Sequence, residues 1–197
     1  MEEKELIALS QKGDLQAFNQ LVGFYQSPVY NLALRMLGDR GSAEDATQEA
    51  FIAAFRGVNS FKGGNFKAWL LRIASNACID ELRRRKRQPA ASLDSFVQEA
   101  GDVLPSPGNP PDEVAISRQR MREVQRGLAT LPQEQRLVVL LSDVYGYSYE
   151  EIVGITKSSL GTVKSRLSRG RAHLREYLLQ TGELLPQQFR YSSRGRV

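Results

Sequence analysis

The sequence predicts an all-α protein: two small helical domains joined by a flexible linker. Three observations carry that expectation. Apolar residues recur at intervals of three and four along most of the 197-residue chain, and almost nothing alternates with period two. Five of the eight prolines (Pro89, Pro105, Pro107, Pro110 and Pro111) fall within residues 88–117, where no period is sustained. The stretches on either side, about 87 residues before it and about 60–80 after it, are each long enough for a small helical core.

In the first stretch, Leu6, Ala17, Leu21 and Phe24 indicate an opening helix or helix pair ending near Ser27-Pro28. A second helix starts at Pro28, whose fixed φ suits a first turn, and Gly38 stops it after Leu37. Ser42 followed by Glu44 and Asp45 is a helix start. That helix carries Ala46, Ala50, Phe51, Ala54 and Phe55 before Gly57. Phe61-Lys62-Gly63-Gly64-Asn65-Phe66 is a glycine-containing loop, and a long helix follows to about Arg87.

In the second stretch, Met121, Val124, Leu128 and Leu131 are spaced 3, 4 and 3. Pro132 starts a helix bearing Leu137, Val138 and Leu141. Tyr149 to Val153 is a short helix, Gly154 to Ser159 a connection, and Leu160 to about Leu178 a longer helix. On that last helix Leu160, Val163, Leu167, Leu174 and Leu178 form an inward face, and Thr162, Ser165, Arg166 and Arg169 another, flanked by Lys164 and Ser168. A short helix, a turn and an amphipathic helix with a Ser/Thr/Arg face make a helix-turn-helix pattern. Arg, Ser and Thr near a helix start suit base edges and phosphates in a major groove. A solvated basic face is the plainer reading of the same residues.

Composition excludes several classes. With 41% hydrophobic and 25% charged residues the chain is not broadly disordered. No apolar run approaches the ~18–20 residues of a membrane span. The acidic start Met1-Glu2-Glu3-Lys4-Glu5 has no apolar run and is not a secretory signal. One cysteine builds neither a disulfide framework nor a cysteine-rich zinc site. A cytoplasmic protein is expected. The net charge of +5 conceals a pattern: residues 61–87 and 157–175 each carry +6, and residues 88–117 carry −5. Two basic blocks point to a polyanionic partner.

The first basic block has internal order. Asn65, Trp69, Arg72, Asn76, Asp80, Arg83 and Arg87 follow one another by four or three residues and share a helix face. Arginine for phosphate, an amide for a base edge and tryptophan for stacking suit nucleic acid. Trp69 reads equally as a core anchor bordering the stripe. Phe61 and Phe66 offer further stacking surface, although core packing is the first reading of Phe66. Arg83-Arg84-Arg85-Lys86-Arg87 covers every side of the helix, so part of it is simply solvated.

Taken in order, these motifs resemble the extracytoplasmic-function (ECF) sigma factors of bacterial RNA polymerase. The resemblance rests on Ala43 to Phe51, Phe61-Lys62-Gly63, Trp69 to Asn76, Leu131-Pro132, Tyr149 to Ile152 and Gly161 to Leu167, and covers about residues 5–180. It implies a sigma region 2 helical bundle over residues 1–87 and a sigma region 4 helix-turn-helix over 118–180. Residues 88–117 form the acidic linker and 181–197 a C-terminal tail. It further implies promoter recognition and transcription initiation, in response to stress, with no cofactor and no metal. Asp45, Gln48, Glu49 and Phe51 would dock on the beta-prime clamp helices of core RNA polymerase, and the second module on the beta flap. The −10 element would be read by Phe61, Lys62, Asn65, Phe66, Trp69, Arg72, Asn76 and Arg83, with the Phe61–Ala68 loop capturing a flipped base. The −35 element would be read by Thr162, Lys164, Ser165, Arg166, Ser168 and Arg169. An anti-sigma factor is the implied regulator. The linker takes the place of a segment threading the polymerase cleft, where five carboxylates without a base would suit a stand-in for RNA.

The chain departs from the family pattern at three points. Lys157 stands where a glycine is common, the loop before Trp69 is about one residue shorter, and Gly170 interrupts the recognition helix at a cost on the order of 1 kcal/mol relative to Ala. Two other classes fit the sequence less well. An enzyme is disfavoured because His173 has no carboxylate partner in view among Arg169, Arg171 and Arg175, Cys78 reads as a packed thiol, and nucleotide- and zinc-binding motifs are missing. A stand-alone helix-turn-helix regulator would need an effector or dimerisation module, which the first stretch does not display.

Overall fold

The computed structural model describes residues 2–87 and 111–181, so the expected linker before Pro111 and the tail after Thr181 lie outside the described residues. The first module comprises α1 (Glu3–Gln11), α2 (Leu15–Leu37), α3 (Arg40–Gly57), a 3-10 turn over Val58–Ser60, and α4 (Phe66–Arg87). The second comprises α5 (Pro111–Thr130), α6 (Gln133–Val139) continuing into a π turn over Leu140–Val144, α7 (Tyr149–Thr156) and α8 (Leu160–Thr181). No strand occurs among the described residues. α5 therefore begins within the stretch expected to be linker.

Other boundaries differ from the sequence reading as well: α7 runs on to Thr156, into the expected connection, and two differences lie in the first module. α2 runs straight through Pro28 instead of breaking there. Leu21 before the proline and Val29 and Leu32 after it are all buried, so one core grips both halves of the helix. The carbonyl that Pro28 leaves without an N–H belongs to Phe24, a residue 61% exposed, on the side where water can satisfy it. α3 starts at Arg40 because Asp39, rather than Ser42, is its cap: Asp39 Oδ1 accepts from the Ser42 N–H at 2.8 Å. The expected stop at Gly38 is present, with the glycine left-handed at φ +86°.

α2, α3 and α4 pack on one another around Leu21, Leu32, Met36, Ala50, Ala54, Leu70 and Leu71, and α1 closes the end. In the second module α8 lies against α5, α6 and α7. The Gly170 notch sets its approach. A methyl group there would sit 2.8 Å from Val139 Cγ2, so the glycine is required by proximity. Val163 and Leu167 are buried as the apolar spacing anticipates, whereas Leu160 is 39% exposed at the helix start. Lys157 ends α7 in the left-handed conformation, φ 53° and ψ 30°, donating its N–H to Val153 O. The turn a glycine usually makes is thus kept with a lysine in it.

The two modules touch. α7 packs on α4, α5 on α2, and α6 on both α2 and α4. Tyr145 donates its hydroxyl to Pro28 O at 3.1 Å, and Gln125 Nε2 donates to Arg35 O at 3.0 Å. Arg136, 7% exposed, donates to Met36 O in α2 and to Ala129 O and Leu131 O at the end of α5.

Candidate nucleic-acid and polymerase interfaces

The long helix of the first module is launched by Asn65, whose Oδ1 accepts from the Ala68 N–H at 2.9 Å. The cap occupies the side-chain oxygen and leaves the amide NH2 outside it. Gly63 and Gly64 precede the cap at φ +98° and +95°, a pair of left-handed residues that side chains with a Cβ rarely adopt. From there one stripe of α4 faces solvent: Asn76, Asp80, Arg83 and Arg87 are exposed, Trp69 and Arg72 half-buried, while Leu70 and Ala74 are buried behind them. Asp80 pairs with Arg83 at 3.4 Å.

Phe66 has the core packing that is its first reading, whereas Phe61, expected to offer stacking surface, is buried as well. Phe61 is 8% exposed and Phe66 1%. They stack edge to face at a centroid distance of 5.2 Å, and each touches Trp69, at 5.5 and 5.3 Å. Tyr25 joins from α2, 5.6 Å from Phe66. Burial and a hydrogen bond with Glu3 push the Tyr25 phenol up to about 12. Phe61 and Phe66 are therefore the floor of the loop and offer no open stacking face; half-buried Trp69 is the ring at the surface. Lys62 is exposed at the loop tip.

The basic run at the end of α4 divides in the same way. Arg85 is half-buried. It donates to Leu37 O at 3.3 Å, pairs with Asp39 at 2.8 Å and pairs with Glu81 at 2.8 Å. One guanidinium ties the end of α2, the cap of α3 and the last turns of α4 together. Partial burial opposes ionisation of Asp39, but hydrogen bonds from Ser42 and Arg85 outweigh it and hold the carboxyl below the usual range. The two carboxylates around Arg85 are not visible in a run of five basic residues.

On α3, Asp45, Gln48 and Glu49 are exposed, whereas Phe51 is buried at 9% exposure. Phe51 lines an open groove between α2 and α3 with Phe18, Val22, Ile52 and Phe55, and Gln48 stands at its rim. On α8, Lys164, Ser168 and Arg169 are exposed. Thr162 and Ser165 are half-buried: the Thr162 hydroxyl is 2.8 Å from Ser159 Oγ, and Ser165 Oγ donates to Thr162 O at 3.0 Å. Arg166 donates to Ser158 Oγ at 2.8 Å and lies 3.5 Å from Glu134, so its charge is partly met within the module. Arg171, on the same helix, pairs with Asp143 at 3.0 Å.

Comparison with known proteins decides what this architecture is. Residues 21–88 match the family model Sigma-70 region 2, and residues 121–174 match Sigma-70, region 4. SigW of Bacillus subtilis, an ECF RNA polymerase sigma factor, is 36% identical over 181 residues, covering 89% of this chain and 96% of that protein. The chain belongs to the ECF RNA polymerase sigma factors. SigE of Mycolicibacterium smegmatis, also an ECF sigma factor, is 38% identical over 171 residues; the match covers 87% of this chain and 65% of that longer protein. Among solved structures, the sigma factor RpoE in complex with the anti-sigma factor NepR from Bartonella quintana is 28% identical. It superimposes at a TM-score of 0.63 over 83% of this chain and 98% of that one.

As an ECF sigma factor the protein acts in transcription initiation, with core RNA polymerase and promoter DNA as partners. The sigma family is not an enzyme class. Cys78 is fully buried in α4, and burial pushes its thiol up to about 12, far from a reactive thiolate. No helix among the described residues is long and apolar enough to cross a membrane.

Proposed function

We propose that this sigma factor reads the −10 element as separated strand with the Phe61–Ala68 loop and the exposed stripe of α4, and the −35 element as duplex with α8. The observation that carries this reading is the presence of two unlike basic surfaces on separate modules. One sets an indole, amides and arginines beside a glycine loop. The other sets Lys164, Ser168 and Arg169 on the outer face of a helix that follows a turn. Trp69, Asn76, Arg72 and Arg83 are the principal −10 contacts, with Lys62 and the Asn65 amide at the loop; Phe61 and Phe66 support them from below. Thr162, Ser165 and Arg166 join the −35 contacts once DNA competes for their present partners.

Strand separation needs no catalytic residue in this scheme. Extruding a base takes a few kcal/mol of unstacking. Stacking on an aromatic ring returns about 1–3 kcal/mol per base, and phosphate contacts add to it. The protein binds the open state better than the closed one and so shifts the equilibrium towards it. Asp45, Gln48 and Glu49, beside the Phe51 groove, meet the beta-prime clamp helices, and the second module meets the beta flap.

The packing of the two modules bears on mechanism. Elements about 25 base pairs apart are separated by roughly 85 Å of duplex at about 3.4 Å per pair. Two small modules in direct contact do not reach both, so they part when the promoter is read. An anti-sigma factor that favours the closed arrangement is the proposed regulator, supported by the complex formed by the Bartonella relative. Residues 1–87 and 118–180 are the proposed functional units, with a cytoplasmic site of action. The test is transcription by reconstituted holoenzyme on a promoter panel. Stimulation that depends on both elements is expected; tight duplex binding without polymerase and without stimulated initiation would sink the reading and favour a stand-alone regulator.

A further inference from the structure

Between α1 and the glycine loop lies a second open groove, of about 820 Å³, that the α4 stripe does not account for. Ile7 and Phe61 supply apolar wall, Lys4 and Lys62 line it together with the carboxylates of Glu2 and Glu3, and Gln11 sits where α1 meets the loop. The Gln11 side chain spends its amide on that junction. Nε2 donates to Phe61 O at 2.8 Å and to Val58 O at 3.2 Å, bonds that span 50 and 47 residues of sequence. Val58 opens the 3-10 turn and Phe61 closes it, donating its own N–H back to Val58 O at 3.1 Å. One amide therefore holds both ends of the turn from which Lys62, Gly63 and Gly64 project.

The consequence follows from the loop's composition. A methyl group placed on Gly63 or Gly64 would meet nothing within 4 Å, so neither glycine is held by close packing at its α-carbon. The loop is held from its two ends, the Asn65 cap on one side and the Gln11 clamp on the other. Resting on the reading of this loop as the −10 base-capturing element, we propose that Gln11 is a positioning residue for base capture. It presets the loop so that an extruded base enters a formed site, and α1 becomes a wall of that site. Gln11 touches no base; it acts through the Val58 and Phe61 carbonyls. Preorganisation of this kind favours the correct base in particular, because a loop that must rearrange fits right and wrong bases more equally.

The experiment uses holoenzyme reconstituted with Gln11→Met, which keeps length and helix preference but removes the donor, and with Gln11→Lys, which restores one. Initial transcription rates are measured on promoters in which each −10 and −35 base is replaced in turn. The Met variant is expected to lose about tenfold in base preference at one −10 position, with −35 preference unchanged, and the Lys variant to regain most of it. A Met variant whose preference profile matches the parent, or whose rates fall equally on every promoter, overturns the proposal. Asn76→Ala on the same panel separates the two levels. If it flattens −10 preference while Gln11→Met does not, only the Gln11 role fails. If neither variant alters the −10 profile, the reading of the loop fails with it.

Discussion

The Arg136 guanidinium, rooted in α6, donates to the Met36 carbonyl at the end of α2 and so joins the two modules. No carboxylate pairs with it among the described residues, and its Nε has no partner. The negative ends of two helices, α2 and α5, take the place of a counter-ion. Burial pulls the guanidinium down to about 10, which leaves it charged at neutral pH. Keeping a cation from water is unfavourable, so rehydration of Arg136 on parting the modules offsets part of the lost bonding.

A clean test of the junction between the modules is Tyr145→Phe, which removes the hydroxyl bonded to Pro28 O without altering the core of either module. Loss of one such bond is worth about 1 kcal/mol. The separated population of the isolated protein is expected to rise roughly fivefold. Energy transfer between dyes on exposed Asp80 and Arg175 would report it, and an unchanged distance distribution would count against a junction of this kind.

The cluster of Asp39, Glu81 and Arg85 predicts a pH dependence. The Asp39 carboxyl is held below its ordinary value of 3.8 in the folded protein. Its contribution is therefore present above that value and is lost as pH falls through the folded pKa. Asp39→Asn keeps a capping oxygen but loses the negative charge that pairs with Arg85, a deficit of about 1 kcal/mol near pH 7. Denaturant titrations of the two proteins should converge as pH drops below about 4.

Gly170→Ala should destabilise, although alanine is the better helix former. The helix gain is on the order of 1 kcal/mol. Against it stands a methyl group 2.8 Å from the buried Val139 side chain. Overpacking of this kind costs about 1–3 kcal/mol. A net loss of about 1 kcal/mol in chemical denaturation is expected, with weakened −35 binding as α8 is pushed outward.

Lys157→Gly should do the reverse. A lysine at φ 53° carries strain of about 1–2 kcal/mol that glycine lacks, partly offset by the greater freedom of an unfolded glycine. A gain of about 0.5–1 kcal/mol, with no change in promoter preference, is expected.

The two DNA surfaces separate by substitution and by salt. Asn76→Ala is expected to relax −10 selectivity, and Arg169→Ala to weaken the −35 contact while reducing the salt slope of binding by about 1. If both variants only lowered thermal stability, these assignments would fall.

Much of this was legible in the sequence because exposure on a helix follows its period. The α4 stripe, the buried Val163 and Leu167, and the exposed Lys164 and Arg169 all obey that rule. What was not legible depends on partners distant in sequence. Pro28 continues a helix because both halves share one core. Arg85 looks like any other residue of a basic run until Leu37 and Asp39 are brought beside it. Phe61 looks like a stacking ring until Phe66 and Trp69 are brought against it. Gln11 carries no motif at all; its two acceptors lie 47 and 50 residues away.

The notch at Gly170 divides α8 into faces of unequal tolerance. Val163, Leu167 and Gly170 are locked against the body of the second module, whereas Lys164, Ser168 and Arg169 project away from it. If α8 reads the −35 element as proposed, substitutions on the outer face alter what is read without disturbing how the helix is seated. Promoter preference can therefore diverge between copies of such a scaffold while the scaffold itself stays the same, and retargeting by design has three surface positions from which to begin.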